Sequence, residues 1–178
     1  MKERMLYLVR HGQLDMRAFE KDQIRAGLTA KGREQVHWTA RYLASLDVSA
    51  IYSSTLGRAL ESAEIISKRF PDIEVHRSNL LCELPNLASA NFVEGKIRAD
   101  KAFTRHVRLN KRRQRIDILV SHGNLIRYFA CRALHIPAES WTLLGSCHCG
   151  ITQMRIAEGT IQLVGYNQVT HLPERLRS

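Results

Sequence analysis

The chain has 178 residues, 44% of them hydrophobic, enough to bury a substantial core as one ordinary domain without disulfides or metals. Lys and Arg number 27 against 17 Asp and Glu, a formal charge of +10, so the surface attracts phosphates, acidic peptides, nucleic acid or anionic lipid without selecting among them. The first apolar run is cut at Arg10, too short for a signal-peptide core or a membrane span, and the four cysteines, Cys82, Cys131, Cys147 and Cys149, lack the spacing of a secreted disulfide framework; export is not expected, and a reduced, cytoplasmic chain is.

Residues 5 to 9 predict a buried strand with Arg10, His11 and Gly12 at its mouth. Leu28 and Thr29 open a helix along which Val36, Ala40 and Leu43 recur at helical spacing. Ala50 to Ser54 predicts a second strand, and from Arg58 onward Ala59, Ala63, Ile66 and Phe70 share one stripe of a second helix, ended by Pro71. Ile73 to Val75 predicts a third strand. Ile116 to Val120 predicts a fourth, which meets Ser121-His122-Gly123 and passes into a helix beginning near Asn124 that carries Leu125, Ile126, Phe129, Ala133 and Leu134. Thr152, Met154 and Ile156, then Ile161 and Leu163, alternate with polar residues about a Glu158-Gly159 turn, the pattern of a hairpin.

Strands alternating with helices predict an α/β fold: a mostly parallel central sheet with helices on both faces, the C-terminal hairpin at its edge, and ligands gathered at the carboxyl ends of the strands. No repeat, low-complexity tract or linker divides the chain. One domain over 1–178 with a short insertion around 84–115 is expected, and the basic run from Lys111 to Arg115 is the conspicuous charge cluster.

Three polar groups lie just past strand ends: Arg10-His11-Gly12, Ser54 through Arg58, and Ser121-His122-Gly123. Two arginines and two histidines at one rim suit a doubly charged tetrahedral anion, because guanidinium forks match phosphate oxygens and imidazole donates to them. Helices starting near Arg58 and Asn124 are expected to add amide donors and dipole. Gly12 and Gly123 either relieve crowding against a ligand or are plain turn glycines.

Leu8-Val9-Arg10-His11-Gly12 resembles the defining motif of the histidine phosphatase (phosphoglycerate mutase-like) superfamily. Leu28-Thr29 with Lys31-Gly32, Ser53-Ser54 with Arg58-Ala59, and Ser121-His122-Gly123 are similar to its later motifs in the same order. The segments FEKDQ, LTAKGREQ, RALESAEIIS and NLIRYFACRAL resemble the mitochondrial phosphoglycerate-mutase-like Ser/Thr protein phosphatases most.

The resemblance implies that His11 is a nucleophile forming a phosphohistidine that water hydrolyses. It implies that Arg10, Arg58 and His122 hold the phosphoryl oxygens, and that Glu83, in LLCELPN, is the acid that protonates the leaving oxygen. His11, Glu83 and His122 are thus the candidate catalytic residues, and no metal or cofactor is implied. Glu83 is followed by Leu-Pro-Asn, unlike the glycolytic mutases, and the stretch to the Asp117 strand is short for a cap over a small sugar acid. An open basic site is expected to take a phosphorylated protein or peptide, with a small phosphomonoester or phosphohistidine as the alternative. The related eukaryotic phosphatases carry an N-terminal membrane anchor; this chain is expected to lack a membrane span. Homo-oligomerisation is left open.

Three other readings compete. Cys149, five residues and Arg155 spell the spacing of cysteine-dependent phosphatases, but residues 151 to 157 read as a strand where a helix start is needed. Cys147-His148-Cys149 suggests a metal site, yet successive residues point apart, so buried thiols beside an exposed histidine are expected. The Lys111 to Arg115 run suggests a phosphate- or nucleic-acid-binding module, but no stacking aromatics interleave the charges, so nucleic acid is not an expected partner.

Overall fold

The computed structural model describes residues 3–108 and 115–178. Lys111 to Gln114, most of the basic run, lie outside the described residues. The strands are β1 (Glu3–Arg10), β2 (Val48–Ser53), β3 (Val75–Arg77), β4 (Arg115–Ser121), β5 (Ile151–Ala157) and β6 (Thr160–Gln168). The α-helices are α1 (Met16–Lys21), α2 (Ala30–Leu43), α3 (Gly57–Ser67), α4 (Phe92–His106) and α5 (Gly123–Ala133).

The strands form one sheet in the order β3-β2-β4-β1-β5-β6. The first four are parallel neighbours, and the β5–β6 hairpin adds two antiparallel strands at the β1 side, as the alternation of the sequence predicts. Side chains leave a strand on alternate faces, and the core divides accordingly. Leu6, Leu8 and Leu119 pack with Ala99, Ala102 and Phe103 of α4 and Leu125 and Phe129 of α5. Val9, Ile51, Ile118 and Val120 pack on the other face with Val36, Ala40 and Leu43 of α2 and Ala59, Ala63 and Ile66 of α3. Each Val, Leu, Ile or Phe among them contributes roughly 1.5–3 kcal/mol on full burial.

The chain leaves β1 toward α2 on one face and leaves the adjacent β4 toward α5 on the other. Connections that diverge from neighbouring parallel strands open a crevice at their carboxyl ends. Arg10 and Ser121 are paired in register there, so the RHG and SHG segments enter the same crevice.

Three local expectations are corrected. β3 begins at Val75, because the Ile73 amide is turned back to the Phe70 carbonyl at 3.0 Å. The α3 helix stops at Ser67, before Pro71, although Phe70 is buried as its stripe predicts. The stretch read as an insertion, 84–115, carries α4, the crossover between β3 and β4. Its buried side is made of small residues, Gly95, Ala99 and Ala102, with Phe103 and His106, a stripe too weakly apolar to stand out among Arg98, Lys101 and Arg105. The short α1 was also not predicted; it buries no residue and rests on an Asp15 cap that accepts from the Arg17 and Ala18 amides.

Candidate active site

The crevice brings His11, Arg10, Arg58, Glu83 and His122 into one cluster. The His11 amide donates to the Ser121 carbonyl at 3.0 Å, which ties the residue after β1 to the end of β4. The His11 and His122 rings meet edge to face with centroids 5.1 Å apart. Both are buried, His11 at 2% exposure and His122 at 0%.

The state of His11 follows from its partner. Its Nδ1 lies 2.7 Å from the Gly12 carbonyl oxygen; a carbonyl can only accept, so Nδ1 carries the proton and Nε2 keeps its lone pair. Burial holds the imidazole well below its ordinary protonation range, and the Arg10 and Arg58 charges add to that, against the opposing pull of the Gly12 bond. A neutral, correctly tautomerised imidazole is what a nitrogen nucleophile requires. His122 is likewise held neutral, first by burial and then by His11, Arg58 and Arg10. Its Nε2 is 2.8 Å from the Ser54 hydroxyl, while its Nδ1 is buried without a partner. With Ser54 donating, Nδ1 carries the proton and is a donor without a partner.

The two guanidinium groups are similarly half-committed. Arg58 donates to the Gln23 carbonyl at 3.2 Å and lies over the Phe19 ring of α1 at 5.5 Å, yet its Nε is buried and unpaired. Arg10 donates from Nη1 to the Ser146 carbonyl, and its Nε is also buried and unpaired. Burial lowers both guanidinium groups from their ordinary range while the Glu83 charge raises them. Three buried unpaired N–H positions around one neutral imidazole are unusual in a folded interior, and together they offer oxyanion ligands.

Glu83 sits on the α5 N-terminus, its Oε1 accepting from the Asn124 amide at 3.0 Å and the Leu84 amide at 3.2 Å. Burial raises its carboxyl above the ordinary range; Arg58, Arg10 and the amides pull the other way. Of the α5 amides expected to face the anion, that of Asn124 is given to Glu83 instead. At α3 the Gly57 amide is taken by the Ile24 carbonyl at 2.7 Å.

Gly12 is explained by packing. Neither Gly12 nor Gly123 has a positive φ. A Cβ on Gly12 would lie 2.5 Å from the Gly32 carbonyl oxygen and 2.9 Å from Val36, so the glycine lets the start of α2 approach β1. A Cβ on Gly123 would lie 3.4 Å from Arg10 Nε.

Sequence reasoning missed two site residues. Arg98, on α4, donates to the carbonyls of Cys82 at 2.5 Å and Glu83 at 2.6 Å, clasping the backbone that carries the Glu83 carboxyl. His148, expected to be exposed, is half-buried with its ring centroid 5.8 Å from that of His11. Neither belongs to a local motif that marks it. The rival cysteine reading fails on geometry: Cys149 is fully buried, burial pushes its thiol up to about 12, and Arg155 in strand β5 pairs with Glu3 at 2.9 Å. Cys147 Sγ is turned to Asn167, and among the described residues no cluster of His, Cys, Asp and Glu is placed to hold a metal ion.

The carboxyl edge of this α/β sheet gathers two histidines, two arginines and a glutamate, a set suited to a tetrahedral oxyanion. The chain belongs to the histidine phosphatase superfamily (branch 1), whose sequence profile matches residues 6–91 and 85–169. It is similar to the serine/threonine-protein phosphatase PGAM5, mitochondrial, of Mus musculus, 33% identical over 86% of this chain and 58% of that protein. The Caenorhabditis briggsae protein of the same name is 31% identical over 95% of this chain and 64% of its own length. The chain thus spans about six-tenths of the length of these curated relatives.

Among solved structures, a phosphoglycerate mutase from Plasmodium falciparum matches with a TM-score of 0.71 and 31% identity over 98% of this chain and 96% of that one. A phosphoserine phosphatase from Entamoeba histolytica shares the fold, with a TM-score of 0.71 at 20% identity over 96% of this chain and all of that one. The curated relatives are named as mitochondrial proteins, which overturns the expected cytoplasmic location. Free thiols do not distinguish compartments within a cell. Among the described residues no helix is long and apolar enough to cross a membrane.

Proposed function

We propose that this protein hydrolyses phosphomonoesters through a phosphohistidine on His11, with phosphoserine and phosphothreonine in proteins or peptides as the substrate class. The observation that carries the reading is the Nδ1–H of His11 held on the Gly12 carbonyl, which leaves Nε2 as a nucleophile beside the unpaired N–H groups of Arg10, Arg58 and His122. Nε2 attacks phosphorus as the bond to the leaving oxygen breaks. Arg10, Arg58 and His122 neutralise the equatorial oxygens, where phosphoryl transfer gains most of its catalysis.

Glu83, whose carboxyl burial raises above its ordinary range and the incoming dianion raises further, gives its proton to the leaving alkoxide. In the second half its carboxylate takes a proton from the attacking water, the N–P bond breaks and phosphate leaves. The whole chain, 1–178, acts as one unit on this reading, since Arg10, Arg58, Glu83 and His122 come from both matched spans. The names of the relatives support the protein-substrate assignment and a mitochondrial location; a small phosphomonoester is the alternative, favoured by the likeness to a phosphoglycerate mutase.

The test compares wild type and His11→Ala on p-nitrophenyl phosphate, phosphoserine peptides and phosphoglycerate. We expect a loss of at least about 10³-fold in His11→Ala and an acid-labile, base-stable phosphoryl adduct in rapidly quenched wild type. Full activity in His11→Ala rejects the mechanism, and a preference for phosphoglycerate over peptides rejects the substrate class.

A further inference from the structure

His148 plays no part in the mechanism above, yet it is held in the crevice by a closely registered loop. The Cys149 amide donates to the carbonyls of Arg10 at 3.1 Å and His11 at 3.3 Å, and the Arg10 amide donates to the Gly150 carbonyl at 3.2 Å. The His148 amide donates to the Ser178 carbonyl at 2.7 Å. Cys149 pays for this register by occupying the left-handed region at φ 57°, a strained conformation for a residue other than glycine, and such conformations persist where the surroundings enforce them. The loop therefore fixes the His148 ring against the residues that follow β1.

The direction of the side-chain contact is unambiguous. His148 Nε2 lies 3.3 Å from Arg10 Nη2. Arginine has no lone pair to offer, so Nε2 accepts, and the neutral ring carries its proton on Nδ1, 3.3 Å from the Ser178 hydroxyl. The groups facing His148 are Arg10 from β1, His11 from the turn after it and Lys31 from α2, with Ser178 behind it. With Nη1 on the Ser146 carbonyl and Nη2 on His148, two protein acceptors orient the Arg10 guanidinium, and the buried Nε is the donor left without a partner.

We infer that His148 is a positioning residue for Arg10, fixing the guanidinium so that its free N–H groups meet the phosphoryl oxygens. The inference rests on the phosphatase reading. An anion ligand on an exposed, rotating arginine loses side-chain entropy on binding; one held by two acceptors before the anion arrives does not. Removal of His148 is therefore expected to weaken phosphate binding by about tenfold, the effect of one hydrogen bond to a charged group.

The experiment measures KM and kcat for p-nitrophenyl phosphate and the stabilisation of the protein by inorganic phosphate against thermal unfolding. The variants are His148→Ala, His148→Gln, Arg10→Lys and Arg10→Lys/His148→Ala. We expect His148→Ala to raise KM and weaken phosphate binding about tenfold with a much smaller change in kcat, and His148→Gln, whose amide oxygen still accepts, to recover most of it. The double variant should be no worse than Arg10→Lys alone, because the His148 effect passes through Arg10.

Unchanged phosphate affinity in His148→Ala, no recovery in His148→Gln, or an undiminished His148→Ala effect in the Arg10→Lys background overturns the inference. Should His148→Ala fail to fold, the comparison of His148→Gln with wild type and the Arg10→Lys cycle built on it carry the same decision. Absence of turnover in wild type overturns the phosphatase reading instead, and the phosphate arm then still decides for His148.

Discussion

At the scale of single residues, the proton affinity of the Glu83 carboxyl is set by opposing forces. Burial raises it, while two guanidinium groups and the α5 amides lower it, and burial prevails. Raised affinity for the proton means the acid form persists to higher pH than in a free glutamate. Activity toward substrates with a poor leaving group should therefore fall as pH rises through the raised value. Glu83→Gln is expected to lower kcat on a phosphoserine peptide by about 10²-fold and to remove that alkaline limb, while p-nitrophenyl phosphate, whose leaving group needs little protonation, loses far less. Equal losses on both substrates would assign Glu83 to folding or binding. Gly12 poses a different residue-scale constraint, since a methyl group there meets backbone at 2.5 Å. Gly12→Ala should destabilise by about 1–3 kcal/mol through overpacking between β1 and α2, measured by urea unfolding.

At the scale of elements, α4 holds the Glu83 segment in place. Arg98 reaches from it to the carbonyls that bracket Glu83, and Asn124 in α5 donates to the Leu84 carbonyl at 3.0 Å. Two helices thereby clamp a segment that has no strand or long helix of its own. Arg98→Ala should cost about 2 kcal/mol of stability and lower kcat on phosphoserine peptides more than it raises KM, because the acid is displaced and the phosphate pocket is not. Arg98→Lys should recover little, since a single ammonium does not span two carbonyls as the guanidinium fork does. Steady-state kinetics with urea titrations of both variants checks this.

At the scale of the molecule, five histidines are held neutral by burial: His11 and His122 well below the ordinary range, and His106, His148 and His171 at about 4. Unfolding releases each to a value near 6.5. Below that value the unfolded chain binds more protons than the folded one, so stability present above pH 6.5 is lost as pH falls toward 4. Each fully buried imidazole contributes up to about 1.4 kcal/mol per pH unit in that window. Chemical denaturation from pH 8 to 4 should show a flat region followed by a steep decline, and a stability independent of pH between 6.5 and 4 would contradict this account. The net charge of +10 acts over a longer range. The rate constant kcat/KM for acidic phosphopeptides should fall with added salt more than that for a neutral phosphopeptide, because screening shortens electrostatic steering.

The motif residues were legible because each follows an apolar run whose period announces a strand, and parallel strands place their carboxyl ends together. Arg10, His11, Arg58 and His122 could thus be assigned to one rim before any coordinates. α4 was not legible, since helix packing there uses small residues whose hydrophobic signal is low. The commitment of the α5 amide to Glu83 was not legible either, as it depends on how a loop between β3 and α4 folds back onto another helix.

By itself the sequence determined the α/β alternation, the motif-bearing strand ends and the chemistry available there, all consequences of local periodicity and residue type. Only the tertiary structure decided that Gly12 serves helix packing, that Arg98 holds the backbone at Glu83, and that His148 faces Arg10. Those outcomes arise from contacts between residues from 15 to 138 positions apart, which the packing of separate elements creates and local periodicity does not announce.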